Sequence, residues 1–292
     1  MNNKIFWGVV VVVVVIFGFF VLSGSDSTET NEASDTVSLT LSDIHGLEVD
    51  INDPDRLYLP NHQGLYVQES DGEIKKQSEI SDDLMSFAVH PSDENIFYAS
   101  GHPRTGGNFG LIKSVDGGVS WQDVSEGLNG PVDFHTMAVD SANGDHIYGY
   151  YAGALQRTLD GGETWQYLND APDKIIQLSA GNKQDQMYAA TTSGLYRSND
   201  QGNTWELAAF ESETVIAIEV NPSSDQMLAN TNAQGLVLSN DGGETWEKSD
   251  FSTSDTVLYI ASSASEPTKS YLITKSLKIF QSTDNGSTWS AR

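Results

Sequence analysis

The chain has 292 residues, with 41 Asp and Glu against 15 Lys and Arg, six His and no Cys, and a formal net charge of −26 at pH 7. So acidic a surface repels nucleic acid and anionic lipid, excludes nucleic acid as a partner, and suits the attraction of cations. Without Cys no disulfide can hold the fold, so packing must do that work.

In chain order, residues 5–22 are 18 consecutive apolar or Gly residues following Lys4, long enough to span a bilayer. A secretory signal has a shorter apolar core, roughly 7–15 residues, and a small-residue cleavage site. Ser23-Gly24-Ser25 offers such a site. The favoured reading is an uncleaved membrane anchor over 1–24, with cleavage and secretion as the alternative; both put the remainder outside the cytoplasm. No Cys follows the span, which excludes a lipoprotein anchor. Residues 25–36 are polar, acidic and free of large hydrophobes, the composition of a flexible stalk. Val37, Leu39 and Leu41 then alternate as in a half-buried strand. Residues 37–292 are expected to form one all-β domain.

Within that domain an octapeptide, Ser/Thr-x-Asp-x-Gly-x-Ser/Thr-Trp, recurs five times. Its aspartates are Asp116, Asp160, Asp200, Asp241 and Asp284, and its tryptophans are Trp121, Trp165, Trp205, Trp246 and Trp289. Successive aspartates lie 44, 40, 41 and 43 residues apart. A strand-rich period of about 40–45 residues is the size of one four-stranded propeller blade. The octapeptide resembles the Asp-box, or bacterial neuraminidase repeat, of sialidases, sortilin-type receptors and the photosystem II assembly-factor family. In such a turn the Asp and Ser/Thr side chains cap backbone amides, and Gly supplies a conformation that other residues avoid. The Trp is expected to pack between blades. A calcium loop needs ligands at more positions than these turns offer.

Aligning the repeats on one another gives four strands per blade: in blade 5, 215–220, 226–230, 235–239 and 245–249. Upstream, 47–51, 56–59, 64–68 and 73–76 make a blade whose box has decayed to Glu69-Ser70-Asp71-Gly72-Glu73. The prediction is a six-bladed, monomeric β-propeller. Blade 6 ends too soon after Trp289 for a full outer strand, so residues 37–41 are expected to join it and close the ring.

The repeat alignment also sorts the histidines. His90 and His146 fall in turns on the Asp-box face and read as structural. His45 and His135 occupy one equivalent place, the entry of the innermost strand, where blade 2 has Met85 and blades 4, 5 and 6 have Ile175, Val215 and Leu258. His62 and His102 are equivalent to each other, each four residues after a second-strand Tyr, Tyr58 and Tyr98. His45, His62, Met85, His102 and His135 therefore crowd one mouth of the channel on three adjacent blades. Imidazole serves copper and zinc, and a thioether tilts the choice toward copper. Two residues before the entry positions stand Asp43, Asp83, Asp133, Asp173 and Glu213, with Asp255 out of step by one in blade 6. These predict a carboxylate ring that draws cations inward.

The region from Ile44 onward is similar to bacterial secreted Asp-box proteins commonly labelled glycosyl hydrolases. The similarity rests on Ile44-His45-Gly46-Leu47, Ser100-Gly101-His102-Pro103, Asp133-Phe134-His135 and the boxes. It implies a sialidase-like fold and raises glycosidase chemistry. A sialidase grips its substrate carboxylate with three arginines; of the five here, only Arg56 and Arg104 are free of boxes and terminus. A glycosidase needs two carboxylates at suitable separation, for which Asp43 and Asp133 are the candidates. No nucleotide or organic cofactor is expected, because no phosphate-cradling Gly loop leads from a strand into a helix. The leading expectation is a membrane-tethered extracytoplasmic scaffold that binds copper or zinc, or a protein or glycan partner, at its His-lined face. The glycosidase is the alternative.

Overall fold

The structure, a computed structural model, describes residues 43–292. The expected anchor, stalk and residues 37–41 lie outside them. Every regular element in this span is a β-strand, and the strands form six four-stranded antiparallel sheets, each from consecutive strands. Among the described residues no helix is long and apolar enough to cross a membrane. The architecture is a six-bladed β-propeller.

The innermost strands are Glu48–Val49, Asp83–Val89, Thr136–Asp140, Ile175–Ala180, Val215–Val220 and Val257–Ser262. From blade 2 to blade 6 each touches the innermost strand of the next blade, the strand of blade 6 returns to that of blade 1, and blade 1 meets blade 2 through its second and third strands. The core is divided into six apolar clusters, one at each blade boundary. At the boundary of blades 1 and 2, for example, Tyr58, Leu65 and Val67 meet Leu84, Phe87, Phe97 and Ile112. Both faces of every blade are thus buried, which closure into a ring requires.

The boxes behave as local turns. In blade 2 the Ser114 hydroxyl donates to Asp116 Oδ1 at 2.8 Å, while Ser120 N–H donates to the same oxygen at 2.9 Å and the Ser120 hydroxyl to Oδ2 at 2.5 Å. Gly118 N–H donates to Ser114 Oγ at 2.8 Å. Gly118 has φ 85°, and a Cβ there would lie 2.5 Å from Leu65 Cδ2 of the preceding blade, so both backbone and packing demand Gly. Trp121 is half-buried at the boundary with blade 1, and the other four box tryptophans sit likewise at the boundary with the blade before. The box carboxylates are occupied by their own turn: hydroxyl donation from Thr164 and Thr245 pulls Asp160 and Asp241 down to about 2.

Among the described residues, blade 6 supplies its own fourth strand. Blade 6 has its own outer strand, Ser290–Ala291, paired with Phe280 and Gln281. It is no shorter than the two-residue outer strands of blades 3 and 5, Gln166–Tyr167 and Glu247–Lys248. The premise that blade 6 ends too soon for an outer strand like its neighbours' therefore fails, while the expected pairing of residues 37–41 lies outside the described residues. Blade 1 has no box Trp to fill its boundary with blade 6. Polar groups latch that seam instead. Lys269 Nζ lies 3.1 Å from Asp55 Oδ2, and the Tyr271 hydroxyl donates to Asp55 Oδ1 at 2.9 Å and to Pro54 O at 2.8 Å. Arg292 stacks 5.0 Å from the Tyr271 ring centroid and donates to the carbonyls of Asp55 and Glu69.

Candidate metal centre

Inner-strand geometry decides which side chains reach the mouth. In blade 2, Leu84 pairs with Gly101 and Ser86 with Ser100, leaving Met85 on a bulge. The same irregularity puts Ile176, Ile216 and Leu258 on bulges in blades 4, 5 and 6. In blades 1 and 3, His45 N–H donates to Pro60 O at 3.0 Å and His135 N–H to Tyr150 O at 3.1 Å, the equivalent contacts. The residue before each of these positions, from Ile44 to Val257, is buried, whereas the position itself is half-buried or exposed. A bulge re-aims a side chain out of the pleat; of the three side chains at this position in blades 1 to 3, His45 and His135 line the central cavity.

This register corrects the expected one. Ile176 and Ile216, rather than Ile175 and Val215, match His45. Two residues before the bulge stand Asp43, Asp83 and Asp133 in blades 1 to 3, but Lys174, Thr214 and Thr256 in blades 4 to 6. Asp43 and Lys174 share a left-handed backbone, φ 50° and 56°, as equivalent residues should. The carboxylate ring is therefore confined to three blades. Asp173 is exposed. Glu213 accepts Ala233 N–H at 2.9 Å and Gln234 Nε2 at 3.2 Å, and Asp255 accepts Ser276 N–H at 3.0 Å; both cap loops of their own blades.

On blades 1 to 3 the acids and histidines meet. His62, in the two-residue turn after Asn61, places Nδ1 2.6 Å from Asp83 Oδ2 of the next blade. His45 Nε2 stands 3.5 Å from Asp83 Oδ1 and 3.4 Å from His62 Nδ1. The ligand atoms of His45, His62 and Asp83 all lie within 4.8 Å of one another. Exposed Asp43 approaches His62 Nε2 at 3.6 Å. Burial lowers the pKa of His45 and His62 pushes the same way, against the pull of Asp83, favouring the neutral ligand form.

One blade further round the motif repeats with a variation. His102, equivalent to His62, puts Nε2 3.0 Å from Asp133 Oδ2, again on the following blade. Its Nδ1 faces Gly107 O at 3.2 Å, in the lengthened loop of blade 2, the kind of second contact that orients a ligating imidazole. His135 Nε2 meets the same Asp133 oxygen at 2.7 Å. Asp133 is 1% exposed and its Oδ1 has no hydrogen-bond partner; Asp83 Oδ1 is likewise buried and unbonded. The four expected histidine ligands therefore form two sets on successive blade boundaries rather than one shell. Met85 lies on the bulge of the blade they share.

On the opposite face Asp140, His146 and Asp185 also bring ligand atoms within 4.8 Å of one another. Asp140 there accepts the backbone N–H of Ala142, Asn143 and Asp185. Its counterpart Asp50 makes the same turn beside Arg56. His146 thus stands where blade 1 carries Arg56, in keeping with a structural role.

No protein-family model matches the chain, and no curated protein matches it. Solved structures share its fold. The GH74 xyloglucanase from Xanthomonas campestris is 16% identical with a TM-score of 0.59, over 85% of this chain and 45% of that one. The Niastella koreensis GH74 enzyme is 15% identical with a TM-score of 0.57, over 84% and 46%. YCF48 bound to a D1 peptide is 19% identical with a TM-score of 0.56, over 85% and 81%. The chain spans less than half the length of these two GH74 proteins.

Proposed function

We propose that this propeller is an extracytoplasmic binding scaffold, tethered by residues 5–22, whose mouth holds a divalent transition metal. His45, His62 and Asp83 form the principal site, and His102, His135 and Asp133 a related one beside it. The observation that carries this reading is the convergence of two imidazoles and a half-buried carboxylate whose buried Oδ1 accepts no hydrogen bond. Two nitrogens and one oxygen suit zinc, with a fourth position open to water or to a side chain of a partner. Copper was favoured by Met85, and a His/Asp set removes most of that preference. A partner-binding role accords with the likeness to YCF48 in its peptide complex. The glycosidase alternative, with Asp43 and Asp133, has only the likeness in fold behind it.

Isothermal titration of the detergent-solubilised chain with zinc tests the reading. His62→Ala and Asp83→Asn should each weaken binding by about tenfold or more, a typical cost of losing a ligand or its orienting partner. His90→Ala should leave affinity unchanged. Binding should fade below about pH 6, because protons compete for neutral imidazole. Equal losses from His90→Ala and His62→Ala would reduce the site to diffuse attraction by an acidic surface.

A further inference from the structure

The central channel encloses a cavity of about 280 Å³ below the mouth. Its lining mixes polar surface with apolar side chains, among them Leu47, Phe87, Val139, Leu178 and Ile260. Two carboxyls stand among them. Glu48 pairs with Tyr58, and Glu219 with Leu228, at one level of the inner strands. At that level the other four blades carry Ala88, Ala138, Ser179 and Ala261, side chains too short to fill the lumen. Blade 6, between the two acid-bearing blades, contributes half-buried Tyr259 to the same cavity.

The polar groups here are unevenly satisfied. Polar inner-strand side chains mostly cap the exposed N–H of the next blade: Ser179 Oγ accepts from Val220, and Glu219 Oε1 accepts from Ser262 at 2.8 Å. The Glu48 carboxyl takes part in no hydrogen bond among the described residues, although its backbone pairs with Tyr58. Ser86 also lines the cavity, is 3% exposed, and its hydroxyl has no partner. The Glu48 carboxyl and the buried Ser86 hydroxyl, without partners among the described residues, lack the donor or acceptor that a ligand would bring.

We propose that the channel binds a primary ammonium on a short alkyl chain, its charge held between Glu48 and Glu219 beside the Tyr259 ring and its chain against the apolar side chains. Two carboxylates supply charge and acceptors for the three ammonium protons, and an aromatic face adds cation–π attraction. A divalent metal ion fits this place poorly, since hard cations need six or more oxygens. Burial pushes Glu48 up to about 8, and burial together with nearby Glu48 pushes Glu219 well above its ordinary range, so an unfilled channel resists carrying both charges. The proposal does not depend on the metal reading.

The test is calorimetric titration of the full chain, in EDTA to empty the mouth, with n-pentylamine and with n-pentanol. The amine should bind saturably at one site and the alcohol at least tenfold more weakly, since only the amine carries the charge the acids select. Glu48→Gln and Glu219→Gln should each cost tenfold or more in amine affinity. Both keep an acceptor oxygen, so Glu219→Gln preserves the contact with Ser262. Tyr259→Phe should bind nearly as the parent, and Tyr259→Leu more weakly. Glu163→Gln, at an exposed acid, should change nothing. Equal binding of the alcohol would leave only an apolar hole. Amine binding that survives both Glu changes, or no binding at all, would overturn the proposal.

Discussion

Asp55→Ala should loosen the ring at the one boundary that lacks a box tryptophan. Asp55 receives Lys269 Nζ at 3.1 and 3.2 Å and the Tyr271 hydroxyl at 2.9 Å. Lys269 is 7% exposed and Tyr271 fully buried. Neither is wholly orphaned by the change, because Glu266 Oε2 lies 2.9 Å from Lys269 and Pro54 O still accepts from Tyr271. A hydrogen bond to a charged group contributes about 1.5–3 kcal/mol, and partial exposure of Asp55 reduces that to about 1–2 kcal/mol. In a domain of this size the melting temperature should fall by roughly 2–8 °C. Burial works against ionisation of Asp55, yet hydrogen bonds from Lys269 and Tyr271 hold its carboxyl below the usual value. A depressed carboxylate contributes stability above its unfolded pKa and loses it as pH falls through the folded one. The gap between parent and variant should therefore be constant above about pH 5 and close in stronger acid. Scanning calorimetry across pH reads both effects. Melting temperatures equal to within about 1 °C near neutral pH, or a gap indifferent to acid, would show that the seam is held by its apolar cluster alone.

In blade 4, Trp205→Ala should cost about 3 kcal/mol, the low end for aromatic truncation because the indole is half-buried. Asp200→Ala, which removes a turn cap, should cost about 1 kcal/mol; chemical denaturation showing the reverse order would return an ion to the box. Glu48→Gln should stabilise the fold at alkaline pH. Between 4.5 and about 8 folded Glu48 keeps a proton that the unfolded chain has released, so parent stability falls as pH rises. The variant's advantage should reach on the order of 3 kcal/mol near pH 7 and vanish near pH 4, and urea melts showing no pH-dependent gap would refute the assignment. Met85→Leu should leave zinc affinity unchanged; a tenfold loss would put the thioether back among the ligands.

The repeat, the blade count and the crowding of His45, His62, His102 and His135 at one mouth were legible in the sequence, because their causes are local. An Asp-box turn is closed by side chains within eight residues, so Asp116, Gly118 and Trp121 announce it wherever they recur. The seam was not legible. Asp55 lies more than 200 residues from its partners Lys269 and Arg292, and the three share no pattern. Register was only partly legible: a bulge is set by the pairing strand, and one uncounted residue in blades 4 and 5 turned Asp173 and Glu213 into apparent members of a ring. Asp83 and Asp133 were visible as mouth acids. That each accepts an imidazole from the blade before it follows from packing blades side by side. Glu48 and Glu219, 171 residues apart, carried no motif. Only closure of the ring brings their strands to one cavity, since the channel is made by all six blades and encoded in none of them.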